Sequence, residues 1–231
     1  KDKDKLVEKY NELGYRDMYI VKDSVWNNDS KHVNIYMKIN EGKKYYIRNI
    51  TWVGNTVYPT DQLNSILRMK KGDVYNQTYM NKRLSSDDDA VGNLYYNNGY
   101  VFYNLQPTEV NIVGDSVHLE MRIFEGQQAH INRVRINGND RLYENVIRRE
   151  LRTKPGDLFS KDALERSIRE IASMGHFDPE KCTPDVHPNY EDGTVDVNYN
   201  LTSKSNDQVE FSLGWGQTGV IGRISLKLNN F

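Results

Sequence analysis

The chain has 231 residues, and its 31 lysines and arginines against 32 aspartates and glutamates leave a formal net charge of −1. This balance gives no electrostatic reason to expect nucleic-acid binding, which normally needs a basic face or stripe. The mean hydropathy is −0.78, and no run of about 18 apolar residues is present that could form a membrane-spanning helix. The single cysteine, Cys182, excludes an internal disulfide framework.

The first 42 residues predict the second half of a small module. A helix over "LVEKYNELGY" is expected to end at Gly14, because glycine readily closes a helix in the left-handed conformation. The segment "VNIYMKINEG", residues 33–42, alternates apolar and polar side chains, which predicts a strand.

The chain continues as an internal repeat. Residues 33–77 and 117–161 align without a gap, with thirteen identities in 45 positions. A match of this length indicates a duplication. The identical pairs include Glu41/Glu125, Gly42/Gly126, Gly54/Gly138, Asn55/Asn139, Gly72/Gly156 and Asp73/Asp157.

Each complete repeat predicts the order β-α-α-β-β. "YIRNITWVGN" reads as a strand and a tight turn. In the later copy, apolar residues at helical spacing predict two helices, the first with Tyr143, Val146, Ile147 and Leu151 and the second with Leu164, Ile168, Ile171 and Ala172 on one face. Strands are expected at about 100–106 with 116–124 and at about 179–187 with 194–202. The predicted fold class is α+β, with a three-stranded mixed sheet covered by two helices.

Two helix details concern the earlier copy. Pro59 sits where a first-turn proline belongs. The second-helix segment is eight residues longer than in the later copy, and these residues predict either a longer helix or a local loop. Asp87, Asp88 and Asp89 lie here and are interpreted as a charged face or a distorted helix start, since no loop of alternating oxygen ligands surrounds them.

The C-terminal segment "FSLGWGQTGVIGRISLKLNNF" differs from the repeats. Val209, Phe211, Leu213 and Trp215 alternate with polar residues and glycines, and alternation resumes after the turn, which predicts a two-stranded hairpin. The expected organisation is a half module at 1–42, complete modules at 43–126 and 127–205, and a strand hairpin at 206–231.

These motifs resemble the POTRA domains of the BamA family of outer-membrane β-barrel assembly factors. The resemblance rests on "NNGYVFYNLQP", on "VRINGNDRLYENVIRRELRTKPGDLF", on "MGHFD" and on the C-terminal hairpin, in that order. It implies tandem periplasmic POTRA domains followed by the first strands of the membrane barrel, with Val209, Phe211, Leu213 and Trp215 facing lipid. The last repeat has Ser203-Lys204 where the others have Glu-Gly, as expected of a unit that precedes a barrel.

The resemblance implies a non-enzymatic role at the periplasmic face of the bacterial outer membrane. The implied partners are unfolded outer-membrane proteins, accessory outer-membrane lipoproteins, periplasmic chaperones and, through the barrel, the outer membrane itself. No nucleic acid, cofactor or metal is expected. A two-partner secretion translocase with POTRA domains and a non-catalytic envelope scaffold are the alternatives.

The resemblance also places the second strand of each sheet at an edge, where an extended client strand can pair by β-augmentation. The two candidate edges are 101–106 and 180–186. Pro184 removes one donor from the second edge and Pro107 is expected to end the first strand, so the first edge is the better acceptor. Its residues are Val101, Phe102, Tyr103, Asn104, Leu105 and Gln106.

A second implied site lies in the last repeat. The family's membrane-proximal domain contacts a lipoprotein through the acidic position that matches Asp178, and the nearby basic residues Arg148, Arg149 and Arg152 are assigned to the same docking surface. The alternative for the arginines is a solvated helix face with weak ion pairs. His176, Cys182 and His187 are too few and too irregularly spaced for a structural zinc site, and no catalytic motif occurs.

Overall fold

The structure is a computed structural model, and it describes residues 2–29, 32–140, 142–204, 208–216 and 219–227. The chain divides into two compact units. The first contains Lys1–Ile131, Gly156–Lys161 and Pro188–Val195, and the second contains Asn132–Pro155, Asp162–His187 and Asp196–Phe231. In the described part of the chain, no helix has the length and apolar character needed to cross a bilayer.

The helices are α1 (Asp2–Glu12), α2 (Thr60–Leu67), α3 (Gln77–Asn81), α4 (Val91–Tyr96), α5 (Glu144–Glu150) and α6 (Lys161–Ser173). The strands are β1 (Tyr19–Asn27), β2 (Val33–Asn40), β3 (Tyr46–Val53), β4 (Asn104–Val113), β5 (Ser116–Phe124), β6 (His130–Asn137), β7 (Thr183–Asn189), β8 (Thr194–Asn200), β9 (Gln208–Gly216) and β10 (Gly219–Lys227).

The middle repeat forms a three-stranded mixed sheet in the order β3-β5-β4. Strand β3 is parallel to β5 and β4 is antiparallel to it. The core side of the central strand carries Val117, Leu119 and Met121, all fully buried. They belong to one core cluster with Leu63, Leu67, Met80, Leu84, Val91 and Tyr95 from the helical segments. Apolar residues of the sheet and of the helical segments therefore pack in a single core. The predicted α+β fold class is confirmed.

Among its described residues, 2–29 and 32–42, the N-terminal half module contains helix α1 and a hairpin of β1 and β2. Val33, Ile35 and Met37 are 54%, 66% and 42% exposed, whereas the residues aligned with them in the repeat, Val117, Leu119 and Met121, are 0% exposed. In the part of the chain that the structure describes, these apolar side chains are not covered by helices as their counterparts in the middle sheet are.

The last repeat has the strand order β6-β8-β7, which repeats the order of the middle sheet. In the second unit, Leu164 and Ile171 of α6 and Ile147 of α5 are buried, as their spacing predicts. The prediction for Tyr143 is wrong. This residue precedes the first turn of α5 and is 85% exposed, because helical periodicity applies only within the helix.

The longer helical segment of the middle repeat is neither one helix nor a simple loop. Helix α3 continues into a π-helical turn at Lys82–Ser86, and a turn through Asp87 and Asp89 separates it from α4. Arg83 of the π-helical turn is 3% exposed. Its guanidinium donates to the Ile66 carbonyl at the end of α2 and to the carboxylates of Asp87 and Asp89. Two of the three aspartates are therefore partners of a buried arginine.

The C-terminal hairpin is present, with β9 and β10 antiparallel and Gly216 opposite Gly219. Phe211 and Ile224 are 74% and 72% exposed. The side chains of Val209, Leu213 and Trp215, which were expected to face lipid, lie outside the described residues. The assignment of this hairpin to a barrel stays a prediction.

Candidate strand edge and docking surface

Strand β4 lies at one edge of the middle sheet and is ten residues long. The prediction that it spans about 100–106 and stops at Pro107 is wrong. Pro107 pairs with Met121 inside the strand, and this is possible because proline is tolerated on an edge strand, where alternate backbone nitrogens point away from the sheet. The exposed edge is consequently longer than the sequence indicated.

The six predicted edge residues fall into two groups. Asn104, Leu105 and Gln106 are in β4. Val101 and Phe102 lie in the turn before it, and Tyr103 stacks on Tyr95 with ring centroids 4.3 Å apart. Only the first group offers strand backbone for pairing.

The second half of β4 was not expected to be a strand. Val110, Ile112 and Val113 are 51%, 43% and 50% exposed, so exposed apolar side chains accompany the backbone edge, with Ile112 and Val113 on opposite faces of the sheet. A bulge interrupts the pairing with β5 between Glu109 and Asn111. In the described residues, no strand pairs with the outer side of β4.

The second candidate edge is β7 of the last repeat, at Thr183–Asn189. Residues 180–182 precede this strand, and Cys182 among them is buried. Pro184 and Pro188 each lack an N–H donor. That this edge is the poorer acceptor stays a prediction.

Glu125 directly follows the central strand β5 and fixes that strand end to the loop after β3, a role that the sequence did not reveal. The carboxylate is 7% exposed. It accepts hydrogen bonds from the Thr56 and Val57 N–H groups at 2.9 and 3.0 Å and from the Tyr95 hydroxyl at 2.8 Å. Burial favours the neutral acid, but the donors, led by the Thr56 hydroxyl, outweigh burial and hold the pKa of Glu125 below its usual value.

The same position is used differently in the other modules. Glu41 is exposed and accepts a hydrogen bond from the Tyr10 hydroxyl at 3.1 Å. In the last repeat, Ser203 replaces the glutamate and donates to the carboxylate of Asp140, so the donor and acceptor roles are exchanged. The departure from the Glu-Gly connector therefore preserves a polar link to the loop after the first strand.

The proposed docking residues of the last repeat are each engaged with near neighbours. Arg148 pairs with Glu144 at 2.6 Å and also donates to the Val134 carbonyl. Arg152 binds both carboxylate oxygens of Glu170 at 2.9 Å. Arg149 has only a 3.4 Å contact with Glu150, and its side chain is 76% exposed.

Asp178 lies in the turn between α6 and β7. Its backbone N–H donates to the Thr202 carbonyl, and its carboxylate faces Lys181 at 3.4 Å. Among the described residues, no ion pair joins Asp178 to Arg148, Arg149 or Arg152. The structure therefore gives two separate features, an acidic turn and an arginine-bearing helix.

Comparisons with known proteins bear on the family and the fold. The family model for POTRA, described as surface antigen variable number repeat, matches residues 45–126 and 129–204. The chain belongs to the POTRA family. The matched POTRA segments contain the β3-β5-β4 and β6-β8-β7 sheets, and the predicted resemblance to POTRA domains is confirmed.

Relatives with similar sequences include a protein named as a putative outer membrane protein assembly factor from Treponema pallidum, 27% identical over 98% of this chain and 27% of that protein. Outer membrane protein assembly factor BamA from Neisseria meningitidis serogroup B is 27% identical over 99% of this chain and 29% of that protein. The chain thus spans less than a third of the length of these curated relatives.

The crystal structure of POTRA domains 3–5 of Haemophilus influenzae BamA superimposes with a TM-score of 0.70 at 21% identity, covering 87% of this chain and 78% of that one. BamA from Haemophilus ducreyi lacking POTRA domains 1–3 gives a TM-score of 0.59 at 20% identity, over 79% of this chain and 34% of that one. At these identities the likeness shows the fold alone.

Proposed function

We propose that this chain is the periplasmic part of an outer-membrane protein assembly factor, which receives unfolded outer-membrane β-barrel proteins and docks accessory lipoproteins. The sequence relatives named as assembly factors support the role. The observation that carries it is the long edge strand β4, whose outer side offers backbone N–H and C=O groups to an extended chain. Periplasmic chaperones deliver the client, and the barrel that begins with β9 and β10 inserts it.

The client strand adds to β4 by β-augmentation, in which main-chain hydrogen bonds give affinity and pockets for alternate side chains give selectivity. Asn104, Leu105 and Gln106 remain in the proposed site, and the exposed apolar residues Val110, Ile112 and Val113 extend it. Apolar side chains at this edge suit the alternating apolar side chains of a membrane β-strand.

Ile112→Lys is expected to weaken binding of a peptide with the sequence of an outer-membrane barrel strand by about tenfold. The lysine replaces an apolar contact and carries charge to the edge. The peptide Kd is measured by fluorescence anisotropy, with amide chemical shifts of residues 104–113 recorded in parallel.

The matched control is Val53→Lys on β3, at the opposite edge of the same sheet, where Val53 is 48% exposed. The proposal requires this variant to bind the peptide as the wild type does. Equal loss in both variants, or shifts confined to β3, would contradict addition at β4.

Lipoprotein docking is proposed at Asp178 with Arg149 as the most accessible of the three assigned arginines. Asp178→Lys is expected to weaken the binding of a purified accessory lipoprotein of the assembly complex by tenfold or more, because a favourable charge contact becomes repulsive. Isothermal titration calorimetry measures the Kd.

The matched control is Asp185→Lys, which makes the same charge change at an exposed position of β7. Unchanged binding by Asp178→Lys, or an equal loss of binding in both variants, refutes a specific role for Asp178.

A further inference from the structure

The N-terminal half module is attached to the middle repeat by a close backbone contact within the first unit. The Tyr45 N–H donates to the Gly14 carbonyl at 2.9 Å. Gly14 has a φ of +95°, and a Cβ atom there would lie 2.6 Å from Val74 Cγ1. A glycine is therefore required at this joint both for its backbone conformation and for the approach of Val74.

The same backbone contact recurs at a second joint within this unit. The Ala129 N–H donates to the Gly99 carbonyl at 2.8 Å. Gly99 has a φ of +85°, and a Cβ atom there would lie 2.6 Å from Leu158 Cδ1. Val74 and Leu158 occupy aligned positions of the repeat, so the two joints share one backbone design.

The side chains around the two contacts differ. At the first joint, the Arg16 guanidinium pairs with Glu109 of β4, and its Cζ lies 5.5 Å from the centre of the Tyr45 ring. The Tyr45 hydroxyl donates to Asp17 at 2.6 Å, and the Tyr75 hydroxyl donates to Glu109 at 2.8 Å.

The corresponding positions of the second joint are uncharged. Arg16 and Asp17 follow Gly14 at the same distances as Val101 and Phe102 follow Gly99. In the alignment of the repeats, Tyr45 and Tyr75 match Ala129 and Phe159. Phe102 packs against Tyr190 with ring centroids 4.9 Å apart. An ionic cluster at one joint is thus replaced by apolar and aromatic residues at the other.

We propose that Arg16 is an electrostatic lock on the first joint, holding the half module to the middle repeat through Glu109 and Tyr45. The side chains of Arg16 and Glu109 are 28% and 26% exposed, so salt reaches the pair and screens it. At the matched positions the second joint has apolar and aromatic contacts, which salt does not screen. Lys161 and Gln128 add hydrogen bonds there to Asn93 and to the Asn98 carbonyl, which are neutral acceptors and are screened less than an ion pair. Ionic strength therefore loosens the first joint selectively.

Hydrogen exchange of two amides tests the lock in the 231-residue chain. Arg16→Ala is expected to accelerate exchange of the Tyr45 amide, which bonds across the first joint, by about tenfold. The Ala129 amide, which bonds across the second joint, keeps its wild-type rate. Raising NaCl from about 0.05 to 1 M accelerates the Tyr45 amide of the wild-type chain by about threefold and leaves the Tyr45 amide of the Arg16→Ala variant unchanged.

Two controls separate the lock from general destabilisation. Arg48→Ala removes an exposed arginine from β3 and is expected to leave the Tyr45 rate unchanged. The Tyr75 amide bonds to the Tyr45 carbonyl within the middle repeat and reports the stability of that repeat. The proposal is overturned if the Tyr45 amide is insensitive both to salt and to Arg16→Ala, or if the Ala129 and Tyr75 amides accelerate to the same extent.

Discussion

Replacing Glu125 with leucine is expected to lower the free energy of unfolding of the first unit by about 3 kcal/mol, because the buried Tyr95 hydroxyl and two backbone N–H groups lose their acceptor. Glu125→Gln keeps one carbonyl oxygen and is expected to cost about half as much. Urea denaturation followed by circular dichroism measures both. Glu41→Leu changes the aligned position, which is exposed, and is expected to stay within about 0.5 kcal/mol of the wild type.

The same carboxylate makes stability depend on pH in a definite direction. Because the pKa of Glu125 is lowered in the folded chain, its contribution is fully present above the unfolded pKa of about 4.3 and is lost as the pH falls through the folded pKa. The difference in unfolding free energy between wild type and Glu125→Gln should therefore shrink on acidification. A difference that is constant from about pH 7 to pH 3 would show that the glutamine variant loses no ionic interaction.

Gly54→Ala is expected to lower the free energy of unfolding by more than about 3 kcal/mol. Gly54 has a φ of +91°, and an added Cβ would overlap the Ile123 carbonyl oxygen of β5. The backbone strain alone is worth about 1–2 kcal/mol, and the overlap forces two paired strands apart. Gly138→Ala should behave in the same way, since the carbonyl oxygen of Leu201 occupies the matching place at a φ of +77°.

Two other glycines separate strain from overlap. Gly72 has a φ of +92° and Gly175 a φ of +77°, and an added Cβ at either would meet nothing within 4 Å. Gly72 thus has nearly the same φ as Gly54, and Gly175 has the same φ as Gly138, but neither has a neighbouring atom close to the position of an added Cβ. Alanine at Gly72 or Gly175 should therefore lower the free energy of unfolding only by the backbone strain, about 1–2 kcal/mol. Equal losses at Gly54 and Gly72, measured by the same urea denaturation, would show that the approach to Ile123 adds nothing.

Local patterns in the sequence were sufficient for much of the fold. The strand expected at about 116–124 is β5, and helical spacing placed Leu164 and Ile171 on the buried side of α6. Gly14, Gly99 and Gly175 follow the helices α1, α4 and α6, and their φ values are +95°, +85° and +77°. These positive values are what a helix-closing glycine requires. These features are determined by neighbours a few residues away, so a single chain displays them.

The extent of the exposed β4 edge was not predictable in the same way. A proline usually ends a strand, and only the position of β4 at the edge of the sheet allows Pro107 to lie within it. Tyr143 shows the converse, because an apolar residue in helical register is exposed once the helix begins after it. In both cases the local sequence pattern did not show where the strand or helix begins or ends in the folded chain.

The sequence by itself determined the repeat, the turn glycines, the order of elements and the resemblance to POTRA domains. Only the tertiary structure decided how single polar residues are used. Glu125 meets Thr56 across 69 positions, and Arg16 meets Glu109 across 93. A contact between two isolated side chains so far apart in the chain leaves no periodic signal, since its energy arises from burial and from hydrogen-bond donors that folding brings together.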